Sequence, residues 1–201
     1  MKTTKKALLL ALCAVLLVVS TVFATMAYLT STTDVVKNTF TVGNVKITLD
    51  ESKVDEYGVV DPNADRVTEN TYKLMPGHTY VKDPTIHVAI ESEVCYLFIK
   101  VTNDIAEIEA DGYTVADQLA ANQWVVVDEA NGIYGKEASV DARKAAVDVV
   151  VFSSIVIDTN ADVSSYYNKT VTVQACAIQA DGFNNMTEAW TAGLGSQFPT
   201  K

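Results

Sequence analysis

Apolar and polar residues alternate through much of this chain at the two-residue period of a half-buried strand. In residues 39–49 (TFTVGNVKITL), Val45, Ile47 and Leu49 share one face and Phe40 and Val42 fall on the other, so Gly43 and Asn44 mark a bulge or a bend. Residues 85–90 alternate again, with Ile86, Val88 and Ile90 set against His87 and Ala89. Residues 93–103 (EVCYLFIKVTN) are β-branched or aromatic at most positions and form the clearest strand. Further strands are expected over 124–128, 132–136, 146–157 and 170–179. Two stretches suit short helices instead: residues 114–122 (TVADQLAAN) and 184–192 (NNMTEAWTA). Turn formers separate these segments, with Asp61-Pro62-Asn63, Pro76-Gly77 and Asp181-Gly182 the strongest.

Seven or eight short strands with so little helix predict an all-β, two-sheet sandwich rather than a parallel sheet built from crossover helices. The run 147–157 (VDVVVFSSIVI) carries one charge, Asp148, and neither Pro nor Gly. It has the composition of an aggregating segment, and a central strand buried on both faces is the expectation weighed against that.

The first thirty residues obey a different rule. Lys2, Lys5 and Lys6 precede an apolar run from residue 7 to residue 24, then small residues, then Ser31-Thr32-Thr33-Asp34. A basic flank, an apolar stretch and a small-residue site describe a secretory signal. Cleavage is expected after Ala27, with Ala24 the alternative, and a retained membrane anchor is the competing reading. Leu12 is too large for the position before a lipidated cysteine, so Cys13 is read as part of the apolar run. The organisation expected is a signal peptide over 1–27, an N-terminal strand segment over 28–49 and a β-sandwich over 50–201.

Charge narrows the partners. The chain carries −10, and loss of residues 1–27 with their three lysines takes it to −13. That excess of acid points away from nucleic acid, which is bound by basic surfaces. Contact with a membrane is expected only through the uncleaved signal.

Candidate chemistry is sparse. Only Cys95 and Cys176 would survive processing, and they are the candidate disulfide of an exported chain. Strict alternation sets Cys95 with Leu97, Ile99 and Val101 facing inward, and Cys176 with Thr172 and Gln174 facing outward. Opposite faces argue against a bridge. The two histidines, His78 and His87, lie outside any H-E-x-x-H pattern and read as surface residues. No nucleophile elbow, phosphate-binding glycine loop or C-x-x-C occurs. Asp61, Asn63 and Asp65, like Asp158, Asn160 and Asp162, space oxygen donors as calcium loops do. Both groups lack the glycine and the final glutamate of an EF-hand loop. No catalytic, cofactor-binding or metal residue is assigned, and no enzyme activity or cofactor is expected.

Several stretches carry a family resemblance. Ala27-Tyr28-Leu29-Thr30, followed by Asn38-Thr39-Phe40-Thr41-Val42-Gly43-Asn44-Val45-Lys46-Ile47-Thr48-Leu49, resembles the start of mature TasA/camelysin proteins. These are exported by Gram-positive bacteria and processed by a SipW-type signal peptidase. Leu74-Met75-Pro76-Gly77, Lys82-Asp83-Pro84-Thr85, the strand at 95–102, Ala177-Ile178-Gln179-Ala180-Asp181-Gly182-Phe183 and Glu188-Ala189-Trp190 resemble clostridial members of the group. Residues 104–168 match loosely.

The resemblance implies a jelly-roll sandwich and a secreted structural protein of the extracellular matrix or cell surface. Its partners would be copies of itself, in biofilm fibres, or related matrix proteins. The implied assembly strand runs through Tyr28, Leu29, Phe40, Val42, Val45, Ile47 and Leu49 and completes a sheet in the next subunit. A freed strand-former adding to an exposed sheet edge is also physically reasonable. The alternative expectation is a monomeric adhesive or binding module whose residues 28–49 pair internally. A camelysin-like metallopeptidase is the remotest of the three.

Overall fold

The computed structural model describes residues 44–198, together with residues 3, 6–8 and 10–17 near the N-terminus. Those N-terminal residues are helical. The chain divides into two compact units, Met1–Thr41 and Val42–Lys201. No helix among the described residues is long and apolar enough to cross a membrane.

The second unit is built from antiparallel strands with few short helices. Its strands are β1 (Ile47–Asp50), β2 (Thr79–Val81), β3 (Thr85–Val88), β4 (Cys95–Asn103), β5 (Trp124–Asp128), β6 (Ile133–Lys136), β7 (Val147–Val150), β8 (Ser154–Val156) and β9 (Val171–Gln179). A three-stranded sheet has the order β1-β3-β7, a four-stranded sheet the order β5-β6-β4-β9, and β2 pairs with β8. The longest ladder joins β4 to β9 over nine residues, from Cys95 opposite Gln179 to Asn103 opposite Val171.

β4 lies at the centre because its sequence is apolar on both faces. Cys95, Leu97 and Ile99 enter the main core, where they meet Ile86 and Val88 of the three-stranded sheet with Val151, Phe152 and Trp124. Tyr96 and Phe98 point the other way, into a second cluster with Ile133, Met186, Ala189 and Trp190.

Helix α1 (Val115–Ala121) starts at a capping box in which the Thr114 side chain accepts from the Asp117 N–H and the Asp117 carboxylate accepts from the Thr114 N–H. Val115 and Leu119, one turn apart, are its buried face. Helix α2 (Met186–Glu188), capped by the Asn185 side chain, continues into a π-helical turn, Ala189–Gly193. Met186, Ala189 and Trp190 follow helical spacing and lie on the outer face of the four-stranded sheet, Trp190 with its ring 5.4 Å from that of Phe98. Gly135 of β6 makes the room: a Cβ there would stand 2.4 Å from the Met186 sulfur.

Four expectations change. The single strand over 146–157 is two, β7 and β8, in different sheets. Val151 and Phe152 between them are fully buried and turn the chain into the core, and the Val151 N–H bonds the Pro84 carbonyl. β7 is therefore not a central strand buried on both faces; it is the last strand of its sheet, and Val150 is exposed. Ile90 lies beyond β3 and is exposed. Cys176 does not face water freely, because the C-terminal segment covers its side of the sheet. The loop over 50–71 holds two isolated bridges, Glu51 with Val67 around the turn at Asp61 and Val54 with Val60 around a turn from Asp55 to Gly58.

Candidate functional site

The expected cleavage residues Ala24 and Ala27, and Tyr28, Leu29, Phe40 and Val42 of the assembly strand, lie outside the described residues. Val45, Ile47 and Leu49 are described. They are partly buried against the main core, and β1 pairs antiparallel with β3 from Ile47 opposite Val88 to Asp50 opposite Thr85. The site of interest is the junction that holds β1 in place.

Three consecutive residues at the end of β1 are anchored by charge. Asp50 accepts hydrogen bonds from Arg66 Nε at 2.5 Å and from His87 Nε2 at 2.8 Å. Glu51 pairs with Lys82 Nζ at 2.7 Å and accepts from Asn70 Nδ2 at 3.0 Å. Ser52 donates its N–H to Asp83 Oδ1 at 2.7 Å and its hydroxyl to Asp83 Oδ2 at 2.8 Å. Arg66 ties the group together, reaching Asp83 Oδ2 at 3.0 Å and Thr85 Oγ1 at 2.9 Å as well. The planar guanidinium suits this work, since it presents several donors in a fixed fork.

His87 extends the junction across the sheet. Its Nδ1 lies 2.7 Å from Asp148 Oδ1 on β7, while its Nε2 is on Asp50 of β1. Carboxylates at both ring nitrogens are satisfied together only by the doubly protonated ring, which donates twice. Partial burial pushes the His87 pKa down, but the hydrogen bonds and charges of Asp50 and Asp148 outweigh it, and the net shift is upward. Partial burial likewise pushes the Asp50 carboxyl up, and the bonds and charges of Arg66 and His87 bring it below its ordinary value. At Asp83, burial is outweighed by the two Ser52 bonds and by Arg66, again lowering the pKa.

This geometry positions and holds; it does not poise a catalyst. A ring with both nitrogens on carboxylates has no free nitrogen to take a proton, and the Ser52 hydroxyl is given to Asp83. His78 Nε2 meets the Tyr57 carbonyl at 2.8 Å and its ring packs 4.5 Å from Tyr80. No group of three His, Cys, Asp or Glu able to hold a metal is found among the described residues. Asp61, Asp158 and Asp162 accept from the N–H two residues on, which makes them turn caps.

The candidate disulfide residues stand apart. Cys95 is buried in the main core and Cys176, opposite Phe98 in the ladder, packs against the outer cluster; both are free thiols. Burial pushes the Cys95 thiol up to about 11 and the Cys176 thiol up to about 12.

The junction was not legible in the sequence. The bonded pairs Asp50–Arg66, Asp50–His87 and His87–Asp148 are 16, 37 and 61 residues apart along the chain, and nothing in the spacing joins them. The one available signal was a histidine alternating with core residues on a strand. Comparison of the chain with protein-family models, curated proteins and solved structures finds no match in any of the three.

Proposed function

We propose that this chain is an exported structural protein of a Gram-positive bacterium, a biofilm matrix fibre subunit or an accessory cell-surface component. In this reading its strands form a jelly-roll-like sandwich, and a SipW-type signal peptidase frees the N-terminus after Ala27. The freed segment, residues 28–43, then adds to a sheet of the next copy, while β1 remains its root. The observation that carries the reading is the place of β1. Among the described residues it stands at the edge of its sheet, with its end clamped by Asp50, Glu51 and Ser52, and the sequence of residues 39–42 ahead of it alternates as a strand does. A docked root with a free strand-former ahead of it is what strand addition requires.

The test compares residues 28–201 with a chain beginning at Asn44, by light scattering and electron microscopy. Filaments from the first and folded monomers from the second support the reading. Folded monomers from both, with seeds added, overturn it.

One observation favours a second reading, a monomeric adhesive or binding module. β1 already pairs within its own sheet, so its domain is not missing a strand at that position. This reading expects residues 28–201 to stay monomeric at high concentration.

A further inference from the structure

One corner of the junction holds three groups that can react with one another. Glu51, directly after β1, is 5% exposed. Its Oε2 accepts from Lys82 Nζ at 2.7 Å, and its Oε1 accepts from Asn70 Nδ2 at 3.0 Å. An amine and a carboxamide thus stand at the two oxygens of one buried carboxylate. Partners fix which way the amide points: Nδ2 also donates to the Ser52 carbonyl at 2.9 Å, and Oδ1 accepts from the Val54 N–H at 3.1 Å. Val54 is itself buried, and Lys82 Nζ lies 6.0 Å from the centre of the Tyr72 ring. The corner is therefore largely closed to water.

We propose that this corner makes a covalent bond: Lys82 Nζ joins Asn70 Cγ as an amide between side chains, with Glu51 as the proton carrier. Glu51 takes a proton from Nζ through Oε2, and the freed amine attacks Cγ. The negative charge that develops on Oδ1 faces the Val54 N–H, which is already in place to receive it. Glu51 hands its proton to Nδ2, which touches Oε1. The Nζ–Cγ bond has formed, the Cγ–Nδ2 bond breaks, and ammonia leaves, carrying off the second proton that Nζ sheds as ammonium. The sum is one ammonium side chain and one carboxamide going to one amide and one ammonium ion, with no oxidant or co-reactant. Holding both groups on one carboxylate replaces a chance encounter by a fixed approach. Before the bond forms, Lys82 and Glu51 are the ion pair described above.

The reaction happens once, within the chain, and takes no outside substrate. It goes beyond the fibre reading and does not depend on it. The bond closes a ring from residue 70 to residue 82 that contains Pro76-Gly77 and β2, beside the root of β1. Exported proteins commonly take such braces from disulfides. Cys95 and Cys176 are free and lie in different clusters, so an amide supplies the brace instead, and reductants do not open it.

The experiment digests the purified, folded full chain with trypsin and reads the peptides by mass, which detects the bond wherever the signal is cut. Trypsin cuts after Arg66, Lys73 and Lys100, and after Lys82 only if its amine is free. Wild type should give residues 67–73 joined to residues 74–100, one ammonia lighter than the two together. Lys82→Arg keeps the charge on Glu51 and should fold without the link. Glu51→Gln should link about 100-fold more slowly or worse. Should Glu51→Gln not fold, Glu51→Asp, whose carboxylate falls short of one partner, serves in its place and should also link more slowly. Free peptides 67–73 and 74–82 from folded wild type after prolonged incubation overturn the bond. A folded Glu51 variant that links as fast as wild type overturns the part given to Glu51.

Discussion

His87 on β3 bonds Asp50 on β1 diagonally: its direct partner in the ladder is Thr48, yet its Nε2 reaches Asp50 at 2.8 Å, two residues further along. The same ring holds Asp148 of β7 through Nδ1, so one side chain ties all three strands of the sheet together on its outer face. Arg66, from the loop after β1, takes the other side of Asp50.

The grip on β1 therefore depends on pH from both sides. His87 has a raised folded pKa, so its contribution is full below its ordinary value of 6.5 and is lost as pH rises through the raised value. Asp50 and Asp83 have lowered folded values, so theirs is present above the ordinary 3.8 and is lost as pH falls through the lowered ones. Melting temperature should peak between about pH 4 and pH 6.5. His87→Gln should flatten the decline on the alkaline side and leave the acid limb in place. An unchanged alkaline limb in that variant would remove His87 from the account.

Glu51 and Lys82 form the most buried ion pair among the described residues, with side chains 6% and 12% exposed. Removing one partner of such a pair leaves an uncompensated charge and costs about 3–5 kcal/mol. Lys82→Met should lower the unfolding free energy, read from the urea transition, by that amount. Lys82→Met combined with Glu51→Leu should recover a large part of it, because the orphaned charge is gone. Chemical denaturation of these two variants, of Glu51→Leu alone and of the wild type gives the coupling directly.

Gly135→Ala tests how the C-terminal segment docks. A Cβ would stand 2.4 Å from the Met186 sulfur and 3.0 Å from the Phe98 ring. The expected cost is about 1–3 kcal/mol for overpacking. Met186→Ala in the same chain should relieve part of it, while hydrogen exchange reports faster opening of residues 186–193 in the single variant. Equal exchange in variant and wild type would show that the segment is held some other way.

In a chain beginning at Tyr28, which lacks the exposed Cys13, Cys95 and Cys176 should resist chemistry in the native state. Their thiols sit on opposite faces of the four-stranded sheet and are pushed up to about 11 and about 12. At neutral pH an aromatic disulfide reagent should react slowly with the folded chain and rapidly in urea, since the thiolate is the reactive form. Mass measurement under non-reducing conditions should find both thiols free. A mass two units lower would mean a Cys95–Cys176 bridge and a rearranged sheet.

The β-branched and aromatic run of residues 93–103 and the alternation of residues 170–179 sufficed to find β4 and β9, because both signals lie within the strand itself. Residues 114–122 likewise read as a short helix, and α1 lies within them. The run at 146–157 misled for a related reason. Its residues have one composition, and only the burial of Val151 and Phe152 inside the core divides it into two strands of different sheets. β2 was missed because Thr79–Val81 is three residues long and shows no period.

What the sequence determined by itself, then, is what depends on near neighbours: the β-rich character, the turns and the opposite facing of Cys95 and Cys176. Each follows from dihedral preference or from a two-residue period, which act within a few positions of the chain. The tertiary structure alone decided which strands meet, and with them the clamp of Asp50, Arg66, His87 and Asp148. Those side chains come from β1, its following loop, β3 and β7, and their pairing depends on sheet order and register. Sheet order is set by how two apolar faces fill one core, a property of the whole chain that no single segment carries.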